Sequence, residues 1–281
     1  MILATGANGM LGGYFPSDRV MKTDLPEMDV TDLEKVRAVI HEHRPQHVLH
    51  LAAWTDVDGA ETHVDDVFRT NAIGTLHVAT AANEVGAALT YISTTQVFDG
   101  TQNEPYTEFD EPRAVNTYGR GKLEGERIIR ALCPQHYIFR AGWMMGGGLK
   151  DHKFVGKIYD LAKARDSLSV VSDKRGSPTY ARDMASGILQ HIETGIYGTF
   201  HMVNGGGTCT RYEMAQEIAR TLDRDIPIEA ISSDLFPLPA RRGDNESALN
   251  YKLELMGRNS MPSWKEALHT YIREELIDCG R

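Results

Sequence analysis

The chain has 281 residues, of which 41% are hydrophobic and 25% charged, and its formal net charge is −9 at neutral pH. This length suffices for one or two domains with a sizeable core, and the composition is ordinary for a soluble globular protein. The acidic balance argues against nucleic-acid and anionic-membrane partners, and no apolar run is long enough to span a membrane.

The start of the chain and its cysteines indicate a cytoplasmic location. The first residues enter a strand-like apolar segment at once, so we expect neither a signal peptide nor an anchor. Cys133, Cys209 and Cys279 lie far apart and form no C-x-x-C pair. An odd and sparse set of cysteines is typical of a reducing compartment.

The stretch MILATGANGMLGG is typical of a strand, a glycine turn and the start of a helix. Its glycines, Gly6, Gly9 and Gly12, follow a G-x-x-G-x-x-G spacing. A Cβ there would block the tight turn and keep the backbone away from a pyrophosphate, which the free N–H groups of the helix start would hold. The stretch therefore predicts a dinucleotide-binding turn.

The connection after this turn is unusually short. Pro16 leaves room for only a turn or two of helix before a second strand, Val20–Asp24. An acidic residue such as Asp24 at that strand end usually accepts hydrogen bonds from the adenosine ribose and repels a 2′-phosphate. Lys22 would weaken that preference, and a simple loop carboxylate is the alternative interpretation of Asp24.

Strand and helix patterns then alternate at short spacing. Helical patterns cover Asp32–His43, Val64–Val85 and Tyr118–Leu132, and strand patterns cover Val48–Ala53, Leu89–Ser93 and Tyr137–Trp143. This alternation predicts an α/β fold of the Rossmann type, with a doubly wound parallel sheet.

Three histidines in this part of the chain do not predict a metal site. His41 and His43 are two residues apart and do not share a helix face, and His47 follows them. A solvated helix end is the better interpretation.

After Trp143 the short-spaced alternation of strands and helices stops, and the loop Gly146–Gly148 and longer connections follow. A helix near Met184–Glu193 and a strand near Thr199–Asn204 resemble late elements of the main sheet. Helices are also predicted over Arg211–Leu222 and Ser263–Ile277, and an extended or loop-like piece over Phe236–Pro239. We therefore assign residues 1–143 and 184–204 to a dinucleotide-binding domain, and 144–183 and 205–281 to a smaller α/β substrate-binding region.

Tyr118 and Lys122 are spaced i and i+4, so they share one helix face. A fixed ammonium beside a phenol favours the phenolate, and we expect it to lower the pKa of Tyr118 into a useful range. The hydroxyls of Ser93, Thr94 and Thr95 follow a strand and are expected to point into the same cleft. A Tyr and a Lys at this spacing, without any other motif, are more often an ordinary pair on a helix surface.

Together these motifs resemble the extended short-chain dehydrogenase/reductase family, in particular its dTDP-4-dehydrorhamnose reductase branch. The resemblance covers nearly the whole chain. The stretches that carry it are TGANGMLG, DVTD, HLAAWTDVDGAE, ISTTQVFDG, NTYGRGKLEGE, FRAGWMMG, GSPTYARD and ARRGDNESAL.

The resemblance implies a role for each matching residue. The implied catalytic set is Thr94, Tyr118 and Lys122. The implied contacts to NAD(H) or NADP(H) are Gly6, Asn8, Gly9, Met10, Leu11, Gly12, Asp24, Asp29, Val30, Leu51, Ala52, Ala53, Thr55, Asn71, Ser93, Tyr118 and Lys122. The implied contacts to a nucleotide-diphospho-sugar are Thr55, Val57, Gln96, Trp143, Arg182, Arg241 and Arg242, although each arginine is equally consistent with a surface salt bridge.

The implied reaction is reduction of a nucleotide-linked 4-keto-6-deoxy sugar. Reduced nicotinamide delivers hydride to the keto carbon, and Tyr118 donates the proton. Thr94 hydrogen-bonds the same oxygen, while Lys122 holds the nicotinamide ribose.

Two departures from the family pattern leave alternatives open. Thr95-Gln96 stands where the family usually has Asp-Tyr, which argues against a 4,6-dehydratase and leaves open an epimerase or a reductase of another nucleotide sugar. Lys174 stands where relatives often have Gln, so the nucleotide is open as well. A non-catalytic cofactor-binding subunit is the third possibility, because a regulatory subunit of methionine adenosyltransferase resembles the same branch. We predict no metal and leave a homodimer open.

Overall fold

The computed structural model describes residues 1–280, and a six-stranded parallel sheet forms its centre. Its strands are β1 (Ile2–Thr5), β2 (Val20–Lys22), β3 (His47–His50), β4 (Ala88–Thr94), β5 (His136–Ala141) and β10 (Gly198–His201). The strand order is β10-β5-β4-β3-β1-β2, so the winding direction reverses between β1 and β3. Open α/β sheets bind ligands at such a reversal, beyond the carboxyl ends of the strands. The predicted doubly wound α/β fold is confirmed.

Helices cover both faces of this sheet and fill the region after it. They are α1 (Leu33–His43), α2 (Val64–Phe68), α3 (Gly74–Glu84), α4 (Thr117–Leu132), α5 (Phe154–Ala164), α6 (Ala181–Ile192), α7 (Arg211–Thr221), α8 (Tyr251–Leu255) and α9 (Trp264–Tyr271). The Asp32 carboxylate caps α1 by accepting hydrogen bonds from two backbone N–H groups. No helix within residues 1–280 combines the length and the apolar character needed to cross a membrane.

The predicted helix over residues 64–85 is not regular. A π-helical turn, Arg69–Ile73, separates α2 from α3, and α9 continues into a second π-helical turn, Ile272–Ile277. A π-turn adds one residue to a helical turn, which the hydrophobic pattern does not reveal, and it often marks a functional position. Here the first π-turn contains Asn71.

Four predicted strands end earlier than expected, including the one near Thr199–Asn204, which ends at His201. β2 ends at Lys22 rather than Asp24, and β3 ends at His50, so that 51–53 lie beyond the sheet. The predicted strand 137–143 breaks at Gly142, where an added Cβ would lie 2.0 Å from the Ser177 carbonyl oxygen. Trp143 therefore begins a new strand outside the main sheet.

The region after the main sheet is built from three two-stranded sheets that the sequence analysis did not predict. β6 (Trp143–Met145) pairs with β9 (Pro178–Tyr180), β7 (Leu168–Val171) with β12 (Ile228–Ile231), and β8 (Arg175–Gly176) with β11 (Cys209–Thr210). They pack with α5, α7 and α9 around one buried cluster that includes Trp143, Tyr180 and Trp264.

The short first connection is confirmed. A single 3-10 turn, Leu11–Tyr14, lies between β1 and β2 and ends before Pro16. The Phe236–Pro239 piece is a loop, as expected.

A buried charge cluster fixes α4 against the sheet. The Glu126 carboxylate accepts hydrogen bonds from the Ser93 hydroxyl at 2.5 Å, from Nε and Nη2 of Arg140 at 2.8 Å each, and from Arg130 at 2.6 Å. Glu126 is 0% exposed and Arg140 is 2% exposed. Burial alone would raise the pKa of Glu126, but the bonds and charge of Arg140 outweigh it and leave the pKa below its usual value.

We expect Arg140→Met to destabilise the protein by about 3–5 kcal/mol, because it leaves a buried carboxylate without its main partner. Arg130 bonds the same carboxylate but is 38% exposed, so Arg130→Met is the matched control and should lose at most about 1 kcal/mol. Urea denaturation at neutral pH measures both values. Equal losses for the two variants would contradict this account of the cluster.

Candidate active site

The glycine turn lies at the reversal point of the sheet, where its glycines are sterically required. Gly6 has φ +61°, and a Cβ there would lie 2.5 Å from the Ala52 Cα. A Cβ at Gly12 would lie 2.2 Å from the Ala7 carbonyl oxygen. The turn is therefore as narrow as the sequence predicts.

Asp24 anchors the glycine turn. One carboxylate oxygen accepts the N–H of Asn8 at 2.7 Å, and the other accepts the N–H of Leu25 at 2.7 Å. Each oxygen keeps a second lone pair, so the carboxylate can still accept a ribose hydroxyl. The structure thus gives Asp24 a positioning role in addition to the expected contact with ribose.

The expected adenine-side residues are held by local bonds. Asp29 accepts the backbone N–H and the hydroxyl of Thr31, and these bonds lower the pKa of Asp29. The Val30 carbonyl oxygen lies 2.9 Å from Nδ1 of His77. Both residues are thereby fixed on the stretch between β2 and α1.

Asn71 positions the loop that follows β3. Its side-chain oxygen accepts the Trp54 backbone N–H at 2.8 Å, and its amide nitrogen donates to the Trp54 carbonyl at 3.1 Å. The π-turn places this amide under the segment that contains Ala52, Ala53 and Thr55. Asn71 therefore acts on the expected cofactor contacts through the backbone of this loop.

Thr94, Tyr118 and Lys122 come together between β4 and the first turns of α4. The Thr94 hydroxyl oxygen accepts the Gln96 N–H at 3.2 Å, and the Thr94 hydroxyl is near enough to the Tyr118 phenol to act on its pKa. Lys122 is 3% exposed, and its Nζ lies 3.9 Å from the centre of the Tyr91 ring. The α4 N-cap, Asn116, fixes the start of this helix by accepting the Gly119 N–H.

Burial shifts the two titrating groups in opposite directions. It raises the pKa of Tyr118 to about 12, against a lowering by the Thr94 hydrogen bond. It lowers the pKa of Lys122 to about 7, against a raising by the Glu126 charge. The Tyr118 phenol consequently keeps its proton at neutral pH and can act as a proton donor.

Two expectations for this cluster were wrong. The pKa of Tyr118 is not lowered by Lys122, because burial dominates and the Lys122 ammonium lies over the Tyr91 ring. The Ser93 hydroxyl does not face the cleft, because it donates to Glu126. Successive strand residues point to opposite faces, so Ser93 and Thr94 diverge.

The segment from Ala240 to Ser247 covers the expected substrate side. Arg242 makes a two-bond ion pair with Asp58, at 2.8 and 2.9 Å. Asn116 donates to the Arg241 carbonyl and to the Gln96 side-chain oxygen, both at 2.9 Å. This segment thus joins the loops after β3 and β4 to the start of α4, near the half-buried Val57.

Trp143 is wedged between neighbours. Its indole N–H donates to Glu246 at 2.8 Å, and the Arg211 guanidinium lies 3.8 Å from the ring centre. A Cβ at Gly176 would lie 2.3 Å from the indole. Trp143 is only 9% exposed, so little of its ring is left for the expected contact with a sugar.

Arg182 does not present a free guanidinium. It forms an ion pair with Glu274 at 2.5 Å, while the neighbouring Glu275 accepts hydrogen bonds from Tyr14 and Tyr180. Arg182 thereby ties α6 to the C-terminal π-turn. Of the alternatives weighed for this arginine, the structure gives the salt bridge.

Sequence reasoning missed Glu126, Arg140, Asn116, Arg211 and Glu246. Only Asn116 had a local signal, as an N-cap residue directly before a helical pattern. The other four are brought together by tertiary packing, so no spacing in the chain marks them.

Within residues 1–280, no group of three or more His, Cys, Asp or Glu side chains is placed to hold a metal ion. His41 pairs with Glu84, whereas His47 is buried in β3 and lies 2.7 Å from the Thr90 hydroxyl. The assignment of His47 to a solvated helix end was therefore wrong.

We expect Lys122→Met to be more stable than the wild type at pH 6, because the wild type must bury a charged ammonium there. As the pH rises from 7 toward the usual lysine pKa of 10.5, the unfolded wild type binds a proton that the folded state has lost, so the wild type gains stability. The stability difference should therefore shrink over this interval.

Urea denaturation from pH 6 to 10 measures this difference, with the exposed Lys157→Met as the control. A difference that does not vary with pH, or a Lys122→Met variant that is less stable at pH 6, would contradict the buried-ammonium assignment.

Comparison with known proteins agrees with this geometry. Residues 1–277 match the family described as RmlD substrate binding domain. The chain is 35% identical to the dTDP-4-dehydrorhamnose reductase of Streptomyces griseus, covering 95% of this chain and 91% of that protein. The crystal structure of a dTDP-4-dehydrorhamnose reductase from Clostridium acetobutylicum has a TM-score of 0.92 and 39% identity, covering 97% of this chain and 98% of that one. The Bacillus anthracis dTDP-4-dehydrorhamnose reductase, solved in complex with NADP, has a TM-score of 0.92 and 36% identity over the same shares. The chain therefore belongs to the RmlD substrate binding domain family.

Proposed function

We propose that this chain is an NAD(P)H-dependent reductase of a nucleotide-linked 4-keto-6-deoxy sugar, with dTDP-4-dehydrorhamnose as substrate. The observation that carries the proposal is the placement of the Thr94 hydroxyl, the Tyr118 phenol and Lys122 together at the carboxyl edge of the sheet that also holds the glycine turn. The names of the similar reductases support the choice of substrate.

Bound NAD(P)H supplies the hydride that the keto carbon accepts. Tyr118 donates its proton to the oxygen of that carbonyl as negative charge develops there, and the raised pKa of its phenol keeps the proton in place until then. The Thr94 hydroxyl orients the phenol and donates to the same oxygen. One hydride and one proton convert the ketone to an alcohol, and solvent returns the proton to Tyr118.

The Lys122 ammonium lies one helical turn after Tyr118, where it would bind the nicotinamide ribose hydroxyls. Glu126, a further turn along α4, favours the charged form of Lys122.

The proposed cofactor cradle is the glycine turn with its supporting loops. The narrow packing of Gly6 and Gly12 leaves room for a pyrophosphate, and the N–H groups that follow can hold its charge. Asp24 and the Leu51–Thr55 loop, which Asn71 holds, would line the ribose and nicotinamide ends. We propose contacts from the residues of the turn itself, namely Asn8, Gly9, Met10 and Leu11.

The proposed substrate site lies between the loops after β3, β4 and β5. Val57, Gln96, Arg241 and Trp143 border it, and the charges of Arg211, Arg242 and Lys174 act on the one buried carboxylate there, Glu246. Of these cations Arg242 is paired with Asp58 and Lys174 with Asp244, which leaves Arg211 to meet an anionic substrate.

We also propose the division into a dinucleotide-binding domain, residues 1–143 and 184–204, and a substrate-binding region. The buried cluster around Trp143, Tyr180 and Trp264 supports a separate core for the second region. With water-soluble reactants, we place the enzyme in the cytoplasm.

Gln96 favours a second candidate, a reductase of a differently configured nucleotide-linked keto sugar. Its side-chain oxygen is held by Asn116, whose amide also binds the Arg241 carbonyl. Gln96 thereby meets the substrate-side segment, where it can select the sugar.

We expect Tyr118→Phe to lower kcat by about 100- to 10,000-fold, because it removes the proton donor. Thr94→Val should also lower kcat, since it removes a donor to the developing oxyanion. Oxidation of NADPH and NADH, followed with dTDP-4-dehydrorhamnose and related keto sugars, measures the rates. The exposed Tyr251→Phe is the matched control.

The dissociation constant for NADPH should stay unchanged in Tyr118→Phe, which separates loss of chemistry from loss of fold. If the wild type oxidises neither cofactor with any of these sugars, the reductase assignment is wrong.

A further inference from the structure

Arg211, the first residue of α7, holds its guanidinium between two aromatic rings. The guanidinium carbon lies 3.8 Å from the ring centre of Trp143 and 4.5 Å from that of Phe154. Such stacking fixes the plane of the guanidinium and leaves its N–H groups directed outward along its rim. Burial lowers the pKa of Arg211 to about 10, so the group is still charged at neutral pH.

This guanidinium has no acceptor of its own. Within residues 1–280 it makes no ion pair and no side-chain hydrogen bond, in contrast to Arg242, which binds Asp58, and Arg182, which binds Glu274. No buried side-chain nitrogen in the same residues lacks a partner, so the donors of the half-buried Arg211 face accessible space. A stacked arginine with unpaired donors is arranged to bind a ligand.

The charges around Arg211 favour an anion. Lys153 and Arg242 repel its positive charge, and Glu246 attracts it. Glu246 is 7% exposed, and one of its oxygens already accepts the Trp143 indole N–H. Glu246 is therefore the one carboxylate that acts directly on the Arg211 charge, while Asp151 acts on Lys153 and Asp58 is paired with Arg242.

Arg211 also lies at the carboxyl end of the parallel strands, the end at which Thr94 is placed. Thr94 on β4 is paired with Ala141 on β5, and Trp143 follows just beyond Ala141. The guanidinium over Trp143 is thus positioned past the carboxyl edge, next to the strand end that carries Thr94. A sugar whose C4 faces Tyr118 carries its diphosphate on C1, across the ring from the reacting carbon.

We propose that Arg211 binds the diphosphate of the nucleotide-linked sugar, an inference that rests on the proposed function. The planar fork of a guanidinium binds two phosphate oxygens at once. Arg182, Arg241 and Arg242 were expected to contact the nucleotide-diphospho-sugar, but the guanidinium groups of Arg182 and Arg242 are already paired with carboxylates.

The test is calorimetric binding of dTDP, dTMP and thymidine to the full-length protein saturated with NADP. Arg211→Met should weaken dTDP binding by at least about tenfold, because it removes charged hydrogen bonds. It should weaken dTMP binding less and leave thymidine binding unchanged. Arg211→Lys, which keeps the charge but loses the fork, should fall between the wild type and Arg211→Met.

Arg220→Met is the matched control, because Arg220 lies on the same helix with its guanidinium paired to Glu217 at the surface. It should bind all three ligands as the wild type does. In turnover, Arg211→Met should raise KM for the nucleotide sugar more than it lowers kcat, since the diphosphate is held equally before and during the reaction.

Unchanged dTDP binding in Arg211→Met would overturn the proposal, and so would an equal loss for thymidine, which would indicate that Arg211 only shapes the pocket. If Arg211→Met does not fold, the test is made with Arg211→Lys instead. An Arg211→Lys variant that binds dTDP as tightly as the wild type does would overturn the proposal. A wild type that binds dTDP but oxidises no cofactor would instead count against the proposed reaction.

Discussion

The hydrogen bonds and ion pairs of the buried Glu126 carboxylate are the constraint on which the active-site geometry depends. This carboxylate lies on α4, with no exposure to water, and its acceptor sites are filled from β4 by Ser93 and from β5 by Arg140. A buried charge is tolerated only when it is paired and hydrogen-bonded in this way, so α4 has one position against the sheet. That position brings Tyr118 to Thr94 and Lys122 to the Tyr91 ring.

The same burial determines the chemistry of the site. If attraction between the phenolate and the ammonium dominated, it would lower the pKa of the phenol and raise the pKa of the ammonium. Here desolvation is the larger effect, so the phenol holds its proton more tightly and the ammonium less tightly. A protonated phenol beside a hydroxyl can donate its proton to an oxygen that becomes negative. Reduction of a carbonyl group requires such a proton donor.

The sequence predicted what depends on local pattern: the parallel sheet, the glycine turn, the short first connection and the Tyr118–Lys122 helix face. It did not predict the π-turn that places Asn71, because one inserted residue scarcely alters a helical pattern. It also did not predict which charges pair. Arg182 and Arg242 are paired with carboxylates distant in sequence, whereas Arg211 is left free, and only the fold distinguishes them.

A crystal structure with the cofactor and the nucleotide sugar tests the central claim most directly, through the distances from the phenol oxygen of Tyr118 and the hydroxyl oxygen of Thr94 to the oxygen on C4 of the sugar. Our account predicts that both are within hydrogen-bonding reach, about 2.6–3.2 Å, with the nicotinamide on the open face of that carbon. A phenol turned away from the sugar, or a dinucleotide bound elsewhere than on the glycine turn, would contradict it.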